Sequence, residues 1–149
     1  MSTKIVPHLT CRNAHEAYEF YQKAFGAQPM GVMNTPDGKV MHAALSIDGS
    51  EIYMHEEFPD WNAKSPETLG GTPVTVHLHV DDCDAVFSRA VEAGCTVSMP
   101  LEEAFWGDRY GVITDPYGHK WSIATTVREM SPEEMQKGMD EMFKNEAAA

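Results

Sequence analysis

Apolar and polar residues alternate with a period of two in several short stretches, and recur at helical spacing in others. Residues 5–11 put Ile5, Pro7, Leu9 and Cys11 on one side and Val6, His8 and Thr10 on the other, which predicts a strand. Ala17, Phe20, Tyr21 and Ala24 then predict a helix over 13–26, with Asn13 as N-cap, Glu16 three residues on and Gly26 as the stop. Three strands are expected at 28–33, 39–47 and 51–55, with turns at Pro36-Asp37-Gly38 and Asp48-Gly49. Residues 58–73, rich in Pro, Gly and Ser, form a linker, and Trp61 implies that part of it packs down.

The pattern then starts again. A strand is expected at 74–80 and a helix at 82–93, stopped by Gly94. Further strands are expected at 96–99, 110–114 and 120–125, the last preceded by the turn Asp115-Pro116-Tyr117-Gly118. At an offset of 69 residues His8 meets His77, Tyr18 meets Phe87, Gly38 meets Gly107 and Gly49 meets Gly118. Matches on turn glycines and on one strand position are what a duplicated supersecondary unit keeps. The expected architecture is therefore α+β: two βαβββ modules forming a curved mixed sheet around a cavity, plus a C-terminal helix. It divides a single domain, 1–149, into module one (4–57), the linker (58–73), module two (74–126) and the helix (131–144).

That last helix opens on Ser131-Pro132-Glu133-Glu134, a capping box with Pro at the first helical position. Met130 and Met135 are placed to form a hydrophobic staple. Met135, Met139, Met142 and Phe143 make one apolar stripe, and so short a helix needs that stripe docked. Its own domain and a second subunit are equally open as the dock.

Composition narrows the class. The 149 residues are 42% apolar and carry a net charge of −12, part of it in the C-terminal segment. An acidic surface repels phosphate backbones, so nucleic acid is not an expected partner. No apolar run reaches membrane-spanning length and no leader pattern opens the chain, so the default compartment is the cytoplasm. Cys11, Cys83 and Cys95 lie far apart and read as buried reduced thiols.

The second face of the strands carries the candidate chemistry. His8 and Thr10, Tyr53 and His55, Thr75, His77 and His79, and Ser122 and Ala124 oppose the apolar sets. A sheet facing water would favour Lys and Glu there. Imidazoles and hydroxyls instead suit the wall of a small-molecule cavity. His42 and His79 have no partner identifiable from sequence, and His15 and His119 read as surface. No phosphate-binding glycine loop, nucleophile elbow or metalloprotease helix is present.

Several segments together resemble one family. They are Val6-Pro7-His8-Leu9, Glu19-Phe20-Tyr21, Phe25-Gly26-Ala27, Pro36-Asp37-Gly38, Leu69-Gly70-Gly71-Thr72-Pro73, residues 105–111 (FWGDRYG) and residues 115–121 (DPYGHKW). The chain is similar over about residues 5–143 to the vicinal-oxygen-chelate superfamily of glyoxalase I, bleomycin-resistance proteins and extradiol dioxygenases. Within it, the PhnB-like, glyoxalase-related subgroup is nearest. The resemblance implies two βαβββ modules around a U-shaped cavity, usually in a homodimer. It also implies, in metal-dependent members, one ligand on the first and one on the fourth strand of each module. Alignment puts those positions at Val6, Tyr53, Thr75 and Ser122, none of them His, Glu or Asp, so the standard metal site is expected to be missing.

A displaced site is the alternative. His8, His55 and His77 sit two residues beyond those positions, and three imidazoles with an open position could hold one divalent metal ion. A two-residue step moves a side chain by about 6–7 Å, which works against a shared ion. Around residues 106–110, Trp106 and Arg109 can form a lip that stacks on and clamps a polar or anionic ligand. The competing reading is a turn locked by Asp108 and Arg109. The expected ligand-binding set is thus His8, Tyr53, His55, Thr75, His77, Trp106, Arg109 and Ser122. Three functions follow: a metal-free small-molecule-binding protein, a metal-dependent lyase, isomerase or dioxygenase using the displaced histidines, and an interaction module acting through the Met-rich tail. No cofactor is named by sequence.

Overall fold

The protein is described by a computed structural model over residues 2–148; Met1 and Ala149, the ends of the expected domain, lie outside the described residues. Module one runs β1 (His8–Cys11), α1 (Ala14–Phe25), β2 (Gln28–Asn34), β3 (Val40–Ile47) and β4 (Ser50–Glu56). A 3-10 turn (Pro59–Trp61) and the short helix α2 (Pro66–Leu69) follow. Module two repeats the plan with β5 (Thr75–His79), α3 (Cys83–Ala93), β6 (Thr96–Glu103), β7 (Asp108–Thr114) and β8 (Lys120–Thr126), and α4 (Pro132–Ala148) ends the chain. No described helix is long and apolar enough to cross a membrane.

Each module forms its own four-stranded mixed sheet, in the orders β1-β4-β3-β2 and β5-β8-β7-β6. The expected curved sheet is thus two open sheets, with β1 and β5 as edge strands. Strands β2, β3 and β4, and likewise β6, β7 and β8, pair antiparallel, while β1 runs parallel to β4 and β5 to β8. A parallel pair needs a long crossover, which the helix and two intervening strands supply. The strands depart from expectation mainly in β6. It continues past Pro100 to Glu103 with two register shifts, which an edge strand tolerates because its outward N–H needs no partner.

The start of α1 also differs. Asn13 adopts a left-handed conformation (φ 63°) and its side chain caps nothing at the backbone. The free N–H groups of Asn13 and Ala14 instead donate to the Glu56 carboxylate at 3.0 and 2.7 Å. The β1–β4 ladder places Glu56 beside Cys11 and so delivers an anion to the positive end of the helix. In α3 the Asp82 side chain is the N-cap and accepts from Ala85 N–H at 3.2 Å.

The core lies where the two modules meet. From α1, Ala14, Ala17, Tyr21, Ala24 and Phe25 are buried, and the helix packs on α3. Phe25 and Tyr21 press on Trp121 of β8, with ring centroids 4.5 and 5.5 Å away. At the centre is Asp115, only 4% exposed. Its carboxylate accepts from Tyr21 Oη at 2.6 Å, Trp121 Nε1 at 2.9 Å, Tyr117 N at 2.9 Å and His119 N at 3.0 Å. Four donors balance the cost of burying this group. His119, expected at the surface, is buried, and its Nε2 donates to the Thr10 carbonyl at 2.8 Å, stitching module two to β1. The three cysteines are free and buried as expected. Burial raises the Cys11 thiol, helped by the Asp115 charge, and pushes Cys95 up to about 12, so neither is a thiolate nucleophile near neutrality.

The linker is pinned rather than free. Ser65 is fully buried and gives both its N–H and its hydroxyl to Glu57 at 2.7 Å. Partial burial works to raise the Glu57 carboxyl. Hydrogen bonds from Thr68 and Ser65, with the nearby Arg12 charge, outweigh that and hold it at about 2. The capping box of α4 forms in both directions, Ser131 N to Glu134 and Glu134 N to Ser131 Oγ, each at 3.1 Å. Contact with the body comes at Gly138, so near Phe105 that a methyl group there would sit 3.0 Å from its Cβ. The expected stripe stays largely undocked within the chain, with Phe143 58% exposed.

Candidate functional site

Strand parity divides each sheet into a helix-covered face and a polar face. Leu9, Cys11, Ile52, Met54, Ala43 and Leu45 are buried under α1. Opposite them stand His8 and Thr10 of β1, Tyr53 and His55 of β4, and His42 of β3. In module two the polar face carries His77 and His79, Ser122 and Ala124, and Tyr110.

On sheet one the rings form a connected cluster. His8 lies 4.7 Å from His55, 5.8 Å from His42 and 6.0 Å from Tyr53, and His42 lies 4.9 Å from Tyr53. The chain of rings runs on from His55 to Phe58 (6.1 Å) and from Phe58 to Trp61 (4.9 Å). Sheet two carries a parallel set: Trp106 to Tyr110 (5.3 Å), Tyr110 to His77 (6.2 Å) and His77 to His79 (5.9 Å). Among the described residues no ring of one set touches a ring of the other.

Hydrogen bonding assigns roles to the imidazoles. His55 is fully engaged: Nδ1 donates to the Glu56 carbonyl at 2.7 Å, so Nε2 is left to accept from Thr10 Oγ1 at 3.3 Å. His77 Nδ1 meets Ser122 Oγ at 2.6 Å, and His79 Nε2 meets Thr126 Oγ1 at 2.9 Å. The Tyr53 hydroxyl donates to Glu51 at 3.2 Å, and Glu51 is paired with Lys4. His8 and His42 make no hydrogen bond through either ring nitrogen among the described residues. Burial, then the neighbouring His55 and His42, lower His8 below the ordinary histidine range. Burial and His79 lower His77, with Asp108 opposing. Both are therefore neutral at pH 7 and can offer a lone pair or an N–H.

The parallel registers show where the expected ligand positions fall. His8 pairs with Tyr53 and His77 with Ser122, whereas Thr75 lies beside Lys120 and Val6 precedes the ladder. The first- and fourth-strand positions that face each other are thus His8/Tyr53 and His77/Ser122. Of these, Tyr53 is bonded to Glu51 and Ser122 to His77. Among the described residues no three His, Cys, Asp or Glu side chains gather closely enough to hold a metal ion. His55 has no free nitrogen to give, and His77 belongs to the other ring set. Within one chain this donor set does not fit the metal that the resemblance implies.

Arg109 also moves. Its guanidinium forks onto Asp84 of α3, with Nε at 3.0 Å and an Nη at 2.9 Å from the carboxylate oxygens. Strand β7 begins at Asp108, so Arg109 shares parity with Gly111 and Ile113 and faces the helix. Asp108 turns the other way and accepts from Trp106 Nε1 and Thr126 Oγ1, each at 3.0 Å. The anticipated Asp108–Arg109 lock is therefore two separate interactions on opposite faces. Trp106 stays with the polar face, and Thr75 sits exposed at its border.

Two clefts follow the seam between β1 and β5, and Pro7 and Val76 line both. One, of about 620 Å³, is bordered by Ile52, Glu51, His77, His79 and Asp82. The other, of about 380 Å³, is bordered by His8, Thr10, Lys64, Pro66 and His119. Sequence does not place Phe58 or Tyr110 in the site, reads Trp61 only as a sign that the linker packs down, and finds no partner for His42. For His42 the signal was available: Ala43 and Leu45 are apolar and buried, and His42 has the opposite parity, shared with Ala44 and Ser46.

Known proteins agree with this plan. The profile of the Glyoxalase/Bleomycin resistance protein/Dioxygenase superfamily matches residues 5–123. An uncharacterized protein of Mycobacterium bovis is 48% identical over 136 residues, covering 89% of this chain and 90% of that one. The crystal structure of protein PA1353 from Pseudomonas aeruginosa superposes with a TM-score of 0.69 at 26% identity, covering 83% of this chain and 98% of that one. A PhnB protein from Bacillus cereus, described as a putative 3-demethylubiquinone-9 3-methyltransferase, shares the fold with a TM-score of 0.65 at 21% identity, covering 83% and 99%. With two βαβββ modules in tandem and a family profile spanning most of its length, the chain belongs to the glyoxalase/bleomycin resistance protein/dioxygenase superfamily.

Proposed function

We propose that this protein binds a small molecule on its two polar faces without the standard metal site of its superfamily. One observation carries the reading: the fourth-strand partners of His8 and His77 are a tyrosine and a serine, each already hydrogen-bonded, where metal chemistry needs an anionic or imidazole donor. What the faces offer instead is neutral imidazoles and aromatic rings, the lining of a specific organic site. The ligand-contacting residues are His8, Tyr53, His55, His77, Trp106 and Ser122, joined by His42 and Tyr110, with Thr75 at the border. Arg109 is left out because its fork is occupied on the far face.

The protein acts in the cytoplasm as a homodimer. The uncovered Met139, Met142 and Phe143 stripe supports a second subunit. The alternative, a metal-dependent lyase, isomerase or dioxygenase, draws its support from His8 and His77 occupying equivalent first-strand positions. It would need ligands from two chains.

A thermal-shift screen of small organic compounds, using untagged protein, tests the binding reading. A ligand that raises Tm should lose its effect in His8→Ala and His77→Ala and keep it in Arg109→Ala. A shift that survives both histidine variants, or that vanishes in Arg109→Ala, would place the site elsewhere.

A further inference from the structure

Trp61 is the least explained side chain in the molecule. A large aromatic residue is normally covered, yet this one is 65% exposed. It is not on a loose loop. Phe58 and Ala63 exchange two backbone hydrogen bonds, at 3.0 and 3.1 Å, which close the six-residue loop at its base. Inside it, Trp61 N donates to the Phe58 carbonyl and Asn62 N to the Pro59 carbonyl, each at 2.9 Å. Pro59 stiffens the first turn, and Asn62 takes the left-handed conformation that turns the chain back (φ 56°). A closed, proline-stiffened loop thus holds an indole out toward water.

Phe58 backs that indole at 4.9 Å, and Phe58 itself stacks on His55 at an interplanar angle of 23°. From His55 the rings continue to His8. Trp61 is therefore the outermost member of the ring series that leads through Phe58 and His55 to His8, which with His42 makes no hydrogen bond through its ring among the described residues. One side of the indole faces Phe58, and much of the rest is open.

We propose that Trp61 is a stacking residue of the ligand site, and that the ligand is a flat aromatic molecule with a hydrogen-bonding edge. The flat part lies against Trp61 and Phe58, and the polar edge reaches toward His8. A rigid indole loses little freedom on stacking, so the loop is prepared for this contact before the ligand arrives. This rests on the small-molecule reading above and adds the ligand's shape and a residue outside both modules.

Isothermal titration with three probes tests it: proflavine (flat, cationic), 2-naphthoate (flat, anionic) and tetrabutylammonium (cationic, not flat). At least one flat probe should bind wild type, and Trp61→Ala should weaken it by about tenfold with Tm unchanged. Trp61→Phe should retain most of the affinity. Tetrabutylammonium should bind no better than buffer. Equal flat-probe affinity in wild type and Trp61→Ala, or no flat probe binding at all, overturns the proposal. A non-aromatic compound whose thermal shift is lost in His8→Ala but untouched in Trp61→Ala would keep the small-molecule site and remove the stacking role.

Discussion

Residues 46–49 and 115–118 fill the same place in their modules, the turn into the last strand, and they meet opposite surroundings. In module one Asp48 and Gly49 are exposed, and Ser46 Oγ accepts only the local Gly49 N–H at 3.1 Å. In module two Asp115 and Tyr117 are buried, and Asp115 reaches across to Tyr21 of α1. The polar faces diverge in the same way. Where sheet one has His42 and His55, sheet two has Tyr110 and Ala124 at the matching ladder positions. A duplicated unit needs only one turn to carry the weld between modules. It also needs only one face to carry the imidazole cluster. Departures from the repeat thus mark what the pair of modules does together.

The largest expected effect breaks the comparison of turns. Asp115→Ala strands the Tyr21 hydroxyl and the Trp121 indole N–H inside the core and should cost about 3–5 kcal/mol. Ser46→Ala should change stability by less than about 0.5 kcal/mol. Urea unfolding measures both. Similar losses would mean that the 115–118 turn does not join the modules.

A smaller effect separates the faces by titration. His8 and His77 have folded pKa values below the unfolded value of about 6.5, so the unfolded chain binds the extra protons. Their contribution to stability is complete above that value, falls as pH drops through the window between the unfolded and folded values, and is flat below it. Two-dimensional NMR of the ring protons should show both titrating below 6.5. His42→Ala should raise the His8 value and leave His77 where it was, because His42 bears on His8 alone. A common shift of both histidines would contradict two separate ring sets.

Much of this was legible in sequence where the signal was local. Alternation placed His8, Tyr53, His77 and Ser122 on the face opposite the buried residues, and the Ser131 box predicted the start of α4. What failed depended on distant partners or on one residue of register. Arg109 stays open in sequence between a ligand-clamping lip and a locked turn, since the expected strand starts at Tyr110; starting β7 at Asp108 makes the parity explicit and turns Arg109 toward Asp84. Asp115 looked like an ordinary turn aspartate, since its decisive partner, Tyr21, is 94 residues away. His119 and the Glu56 cap of α1 were hidden for the same reason.

The central claim is that the site works without the metal of its superfamily. Elemental analysis by mass spectrometry, on untagged protein purified without chelators, tests it most directly. The account predicts well under one equivalent of zinc, nickel, manganese and iron per chain, unchanged in His8→Ala and His77→Ala. A near-stoichiometric metal that disappears in both variants would contradict it.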